Sequence, residues 1–202
     1  MSNNDQITGI ILCGGKSSRM GKDKGLCLLN NEPLVKYVIR ILKIACDALL
    51  IGTNDNNYET FGIPVVPDHF KGIGPIGGIY SCLQASSTDR NIVLSCDMPL
   101  ITVELVRFII EQPGNPDAIV PLFEGLPEPL CALYHKRTIP KIKYSIEKGD
   151  YKIQDVLNLL NTRYVVIDSE LTWSHKDLFY NINSADDLDR IEQRLRSKKK
   201  HD

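Results

Sequence analysis

Long apolar runs are missing from this chain. Stretches 7–12 and 48–51 are among its longest, far short of the roughly 20 residues a membrane helix needs. An excess of either charge is missing too, because 24 basic residues face 25 acidic ones and leave a net charge of −1. Such a balance gives no global field for nucleic acid or an anionic membrane, so any anion site must be local. Histidine is sparse: His69, His135, His175 and His201 are scattered and suggest no metal site. The six cysteines contain no C-x-x-C pair, which argues against zinc and a disulfide framework and for buried, reduced thiols. The first six residues are polar and lack the basic-then-apolar order of a signal peptide, so a cytoplasmic protein is expected. Two phosphate-loop patterns are also absent from the first glycine-rich segment. Lys22 and Asp23 after Gly21 break G-x-x-x-x-G-K-[ST], and G-x-G-x-x-G does not occur there.

Short strand patterns alternate with longer amphipathic segments. Strands are expected at 7–12, 48–51, 63–66, 91–95, 118–122, 130–134 and 164–167. Helices are expected from Glu32-Pro33, over 75–85, from a Thr102 cap to Ile110, from Thr138-Ile139-Pro140, over 154–160, and after a Ser184/Asp187 capping box. This alternation predicts one three-layer α/β/α domain with a mostly parallel, Rossmann-like sheet, its core over about 7–196 between a polar N-terminus and a basic C-terminal tail. In such sheets ligands bind beyond the carboxyl ends of the strands, and four loops there carry chemistry.

The first, 12–24, follows a buried strand and combines Gly14 and Gly15 with Arg19 and Lys24. Glycines let backbone N–H groups approach an anion and the cations neutralise it, as binding a nucleoside triphosphate requires. The second, 68–78, has Asp68 ahead of glycines that open a helix. Its small residues could admit a base, a ribose or a phosphate, and a purely structural turn is the competing reading. The third, Ser95-Cys96-Asp97-Met98-Pro99, puts a carboxylate at the end of the most apolar strand. There Asp97 can hold Mg²⁺ against triphosphate oxygens, or cap a helix, a role Thr102 already fills. In the fourth, Asn181 and Asn183 alternate and would point the same way if extended, facing a ligand or shaping a turn. Lys148 and Lys152 could meet an anionic acceptor or simply be exposed helix-end lysines. His135, Trp173, His175 and the Lys198–Lys200 run read as structural or solvated residues.

Taken in order, L-C-G-G-K-S-S-R-M-G-K-D-K, G-P-I-G-G-I, C-D-M-P and N-I-N-S-A-D-D-L resemble the molybdenum cofactor guanylyltransferases, from about Ile7 to Leu188. The first and third motifs are shared with a wider nucleotidyltransferase superfamily, while the second and fourth narrow the match. The resemblance implies transfer of GMP from GTP to the terminal phosphate of molybdopterin carrying molybdenum, with Mg²⁺ and release of pyrophosphate. It also implies molybdoenzymes or their chaperones as downstream partners, and neither nucleic acid nor membrane. Where similar cytidylyltransferases carry L-A-A-G, this chain has Gly14, which favours guanine by the missing methyl. Cys13 replaces the usual Ala, a possible point of oxidation. Gly52 stands where some members place an Asn, leaving Asn54 as the nearby amide.

The nucleotide is therefore expected on Leu12, Cys13, Gly14, Gly15, Lys24, Asp68, Asp97, Asn181 and Asn183, with Arg19, Lys24 and Asp97 catalytic and Asp97 the metal ligand. The acceptor phosphate is already an anion, so no strong general base is required. Gly14, Gly15, Arg19 and Lys24 would stabilise the leaving pyrophosphate. Alternatives are cytidylyl transfer to the same pterin, nucleotidyl transfer to a sugar phosphate, or a nucleotide-binding module without chemistry.

Overall fold

A computed structural model describes residues 6–14 and 23–198, with side chains to residue 195. Strand β1 (Ile7–Leu12) leads through a one-turn 3-10 segment, Lys24–Leu26, to a small hairpin of β2 (Leu28–Leu29) and β3 (Glu32–Pro33). Helix α1 (Leu34–Ala45), β4 (Ala48–Gly52), β5 (Val65–Val66), α2 (Pro75–Ala85) and β6 (Arg90–Ser95) follow. The second half comprises α3 (Val103–Ile110), β7 (Ala118–Phe123), β8 (Leu126–Pro127), β9 (Cys131–His135), α4 (Ile139–Lys148), α5 (Ile153–Leu159), β10 (Thr162–Ile167) and α6 (Ala185–Lys198).

The large sheet runs β10-β7-β9-β6-β1-β4-β5, with β8 added to β7. Strands β1, β4, β5 and β6 are mutually parallel, and so are β7 and β10; β9 alone of the main path runs antiparallel to its neighbours β6 and β7. The chain between β7 and β9 explains this reversal. A parallel return needs a crossover of a dozen or more residues, and residues 124–130 are too few. The expected mostly parallel sheet is therefore interrupted once along its main path, and the short β8 also pairs antiparallel with β7.

Period-2 alternation sends apolar side chains to both faces, as a doubly covered sheet requires. Ile11, Ile51, Ile92, Leu94 and Ile119 pack under Val35, Val38 and Leu42 of α1 and Leu105, Val106 and Ile109 of α3. Ile10, Val93, Val120 and Ala132 pack on the other face against Ile79 and Leu83 of α2, Ile142 and Ile146 of α4, and Val156 of α5. Each fully buried Leu, Ile or Val side chain is worth about 1.5–3 kcal/mol, so these two layers fix the strand ends that carry the loops. A third, smaller cluster joins Leu29 of the hairpin and Leu34 to Ile182 and Ile191, clamping α6 against the hairpin.

Several boundaries fall where local chemistry puts them. Thr102 Oγ accepts the Leu105 N–H at 3.3 Å and caps α3 as expected. Ser184 Oγ accepts the Asp187 N–H at 3.2 Å, while the Asp187 carboxylate takes the Asn183 N–H at 3.0 Å. The helix expected from Glu32-Pro33 starts instead at Leu34. Asn30 and Asn31, at φ 50° and 62°, make the two-residue turn of a hairpin that pairs Leu29 with Glu32. Two consecutive Asn residues between apolar positions were the available signal. All six cysteines are free thiols and five are buried. Among the described residues no helix is long and apolar enough to cross a membrane.

Candidate active site

Parallel strands β1, β4, β5 and β6 end together, so the loops after them share one edge of the sheet. Leu12 is locked there: its carbonyl accepts the Cys96 N–H at 3.1 Å, and Cys13 donates its N–H to the Gly52 carbonyl at 2.9 Å. The Cys13 thiol turns into the core, where burial, with Cys96 beside it, raises its pKa well above the ordinary thiol range. A buried, protonated thiol is not an exposed point of oxidation, which corrects that expectation. Only the backbone of Cys13 is left to face a ligand, and its N–H is already taken. Gly14 is exposed, at φ 120°. Gly15 and Arg19 lie outside the described residues, as do Lys199 and Lys200.

Where the described chain resumes, it is fixed by Asp23. Its Oδ1 accepts the Gly25 N–H at 3.1 Å and caps the Lys24–Leu26 turn. Lys24 thereby reaches across the strand ends, with Nζ 3.2 Å from Asp97 Oδ2 and 2.5 Å from Asn183 Oδ1. The other Asp97 oxygen accepts the Ser95 hydroxyl at 2.6 Å. The Asp97 carbonyl takes the Ile182 N–H at 2.9 Å and pins the Asn loop to the end of β6. Residues 24, 97 and 183, from three distant parts of the chain, thus meet at one point. The Lys24 and Asp97 side chains are 25% and 13% exposed, open enough to exchange partners when a ligand arrives.

Other expected residues have different neighbours. Asp68 pairs reciprocally with Asn54: the Asn54 amide donates to Asp68 Oδ2 at 3.0 Å, and the Asp68 N–H donates to Asn54 Oδ1 at 3.1 Å. Burial pushes the Asp68 carboxyl above its usual range, against the Asn54 hydrogen bond and nearby Lys71. Asn181 gives its amide to the Phe179 carbonyl at 3.4 Å, while Asn183 carries the contact to Lys24. An Asn in place of Gly52 would force its neighbours to shift, because a Cβ there would stand 2.7 Å from the Cys82 sulfur and 3.1 Å from Leu12 Cδ2. The amide of Asn54, two residues on, meets Asp68 instead. Gly77 is structural, since a Cβ would come within 2.6 Å of the Phe70 carbonyl.

Sequence reasoning missed Ser95 and the Asp23 cap. Ser95 was legible from alternation, since residues 95 and 97 fall on one side of an extended chain. A cavity of about 370 Å³ containing Arg90, Gln112, Asn115 and His135 opens at the opposite end of the sheet. His135, whose pKa burial and the charge of Arg137 lower, belongs there and takes no part in these loops.

This arrangement, with a cation, a carboxylate and amides at the carboxyl ends of parallel strands, suits the phosphates of a nucleotide. A model of the MobA-like NTP transferase domain matches residues 9–164, from within β1 to the middle of β10. The chain belongs to this family. Similar proteins include the molybdenum cofactor guanylyltransferase of Vibrio vulnificus, 39% identical over 189 residues, covering 91% of this chain and 94% of that one. Another, described as a probable molybdenum cofactor guanylyltransferase of Flavobacterium johnsoniae, is 35% identical over 186 residues, covering 91% and 95%. Among solved structures, molybdopterin-guanine dinucleotide biosynthesis protein A of Archaeoglobus fulgidus superposes with a TM-score of 0.80 at 24% identity, over 94% of this chain and 99% of that one. A CMP:2-keto-3-deoxy-manno-octonic acid synthetase superposes at 0.72 with 13% identity, over 96% and 99%, and shares the fold alone.

Within this MobA-like NTP transferase domain the glycine at position 14 answers to backbone conformation and not to crowding by described residues. Among the described residues a Cβ there would touch only Thr53 Oγ1, at 3.8 Å, an ordinary contact, so those residues leave room for a methyl group. The backbone does not, because φ 120° strains any L side chain. As for metals, no group of three or more His, Cys, Asp or Glu side chains among the described residues is placed to cage an ion. Asp97 could still supply one oxygen to a cation that brings phosphate and water ligands of its own, a donor set that suits Mg²⁺.

Proposed function

We propose that this chain transfers GMP from GTP to the terminal phosphate of molybdopterin bearing molybdenum, releasing pyrophosphate. The observation that carries the reading is the meeting of Lys24, Asp97 and Asn183 at the end of the central parallel strands. Guanine and the pterin acceptor come from the names of the relatives.

In the reaction an acceptor phosphate oxygen forms a bond to the α-phosphorus of GTP. The bond from that phosphorus to the oxygen bridging it to the β-phosphate breaks, and the electron pair leaves with pyrophosphate. The nucleophile is already ionised, so the protein needs no base; it must hold two anions together and absorb charge on the leaving group. Lys24 moves from Asp97 onto the phosphates, with Arg19 and the backbone N–H groups of Gly14 and Gly15 beside it. Asp97, freed of Lys24 and held by Ser95, would hold Mg²⁺, which supplies charge neutralisation at the α-phosphate when bound. Asn183 then loses its lysine partner and can face the acceptor side, with Asn181 supporting the turn. Asp68, oriented by Asn54, contacts the ribose or base. In this reading the protein works in the cytoplasm and hands its product to molybdoenzymes or their chaperones.

Pyrophosphate release in the presence of Mg²⁺ and molybdopterin, with GTP compared against CTP, tests the assignment. Release with GTP alone is expected. Preference for CTP overturns the base, and silence with both nucleotides in a sample that binds GTP overturns the transfer reaction.

A further inference from the structure

Lys24 can act only if its backbone is held, and the residue that holds it comes from a segment with no other tie to the chemistry. Tyr58 lies in a 3-10 stretch, Asn56–Phe61, between β4 and β5, and is completely buried. Its hydroxyl donates to Asp23 Oδ1, the same oxygen that accepts the Gly25 N–H and caps the turn beginning at Lys24. Gly25 is glycine for the same reason: a side chain there would collide with the Tyr58 hydroxyl and stand 3.0 Å from the Cys96 sulfur. Burial, followed by the neighbouring Cys13, Cys96 and Asp23, pushes the phenol pKa far above its ordinary value, so the proton is always present to donate. The ring also packs against Phe61 at 5.9 Å, which fixes the hydroxyl from behind.

We infer that Tyr58 and Asp23 form a buried anchor that positions Lys24 over the phosphates, making both of them positioning residues for the transfer reaction. The inference rests on the proposed nucleotidyl transfer for its kinetic consequence, but its structural half stands without it. Asp23 has two ways to act. As an anchor it needs only an oxygen that accepts two hydrogen bonds; as a charged participant it would need its carboxylate. An Asn keeps the first and loses the second.

The test compares Tyr58→Phe, Asp23→Ala and Asp23→Asn with wild type, each also combined with Lys24→Ala. Amide exchange at Gly25 and steady-state kinetics for GTP are the two readouts. Tyr58→Phe retains the ring and its packing, so melting should shift by no more than about 3 °C, while kcat falls about tenfold, the factor an ordinary hydrogen bond carries, and KM changes little. Gly25 exchange should quicken by a similar factor. Asp23→Ala should lose more, and Asp23→Asn should restore most of that loss. In the Lys24→Ala background Tyr58→Phe should cost nothing further, because residues acting through one group are non-additive. A full second penalty in that background, unchanged kcat in Tyr58→Phe, or an Asp23→Asn as impaired as Asp23→Ala would overturn the anchor. Should wild type give no product, the proposed function falls alone, and the Gly25 exchange rates still decide whether the anchor exists.

Discussion

Replacing Lys24 with Ala separates the needs of the reaction from those of the fold. In the ligand-free protein the ammonium lies 3.2 Å from Asp97 Oδ2. Unit charges at that distance attract by about 5 kcal/mol at an effective dielectric of about 20. Solvent screening and the cost of ordering a lysine that is 25% exposed reduce the net contribution to about 1 kcal/mol. Asp97 is not stranded by the change, since Ser95 still donates to it at 2.6 Å and water can enter the vacated space. A loss of about 1 kcal/mol lowers the melting temperature of a chain of this size by about 2–4 °C. The transition state suffers more, because charge building on pyrophosphate loses its fixed cation. Removing one such group costs about 10²–10³ in turnover, or roughly 3–4 kcal/mol. The assay is pyrophosphate release alongside thermal melting. Activity should fall at least a hundredfold with folding nearly intact. Retention of more than a tenth of wild-type kcat/KM would refute the reasoning, and so would a loss matched by unfolding at the assay temperature.

Other perturbations probe different parts of the molecule. Asp117 accepts from Arg137 at 2.7 Å, Lys141 at 3.0 Å and the Asn161 N–H at 3.1 Å, at the end of the sheet away from the site. Burial alone would raise its pKa, but hydrogen bonds from Arg137, Asn161 and Lys141 outweigh it and hold the carboxyl well below the usual range. Its stabilising effect is thus present above the ordinary Asp value of about 4 and is lost as pH falls through the depressed one. Asp117→Ala should cost about 2 kcal/mol at pH 7, between the exposed and buried limits, and flatten the acid limb of a stability–pH curve without changing turnover. Asp68 has the opposite sign. Its raised carboxyl makes the folded state weaker as pH climbs from the unfolded pKa through the folded one, so Asp68→Asn should melt no lower than wild type at pH 7 while raising the KM for GTP. A clear drop in its denaturant midpoint would mean that the charge serves the fold. Gly14→Ala should lose GTP turnover more than CTP turnover if the open space serves guanine; equal losses would assign Gly14 to its backbone strain alone.

The layered α/β architecture was legible in the sequence because it depends on local periodicity. The continuous apolar runs of β1 and β6, the Pro75 start of α2 and the Thr102 cap each act within a few residues, and the chain alone fixes them. Lys24 and Asp97 were legible as candidates for a similar reason: a basic residue in a Gly-rich segment and a carboxylate at a strand end stand out by side-chain type and local position alone. Other features depended on residues far apart. The Asn30-Asn31 turn replaced a helical start because the hairpin it makes can pack on Ile182 and Ile191, more than 140 positions away. The reversal of β9 followed from the short connection to β7, yet its place between β6 and β7 is set by tertiary pairing with both strands. The site has the same division. Sequence named Lys24, Asp97 and Asn183 separately, and only the tertiary fold put the lysine between the other two. It also turned Cys13 inward, crowded Gly52 with the Cys82 sulfur, and brought Tyr58 under the turn that carries Lys24. Side-chain type travels with the sequence, but who touches whom is set by packing across the sheet.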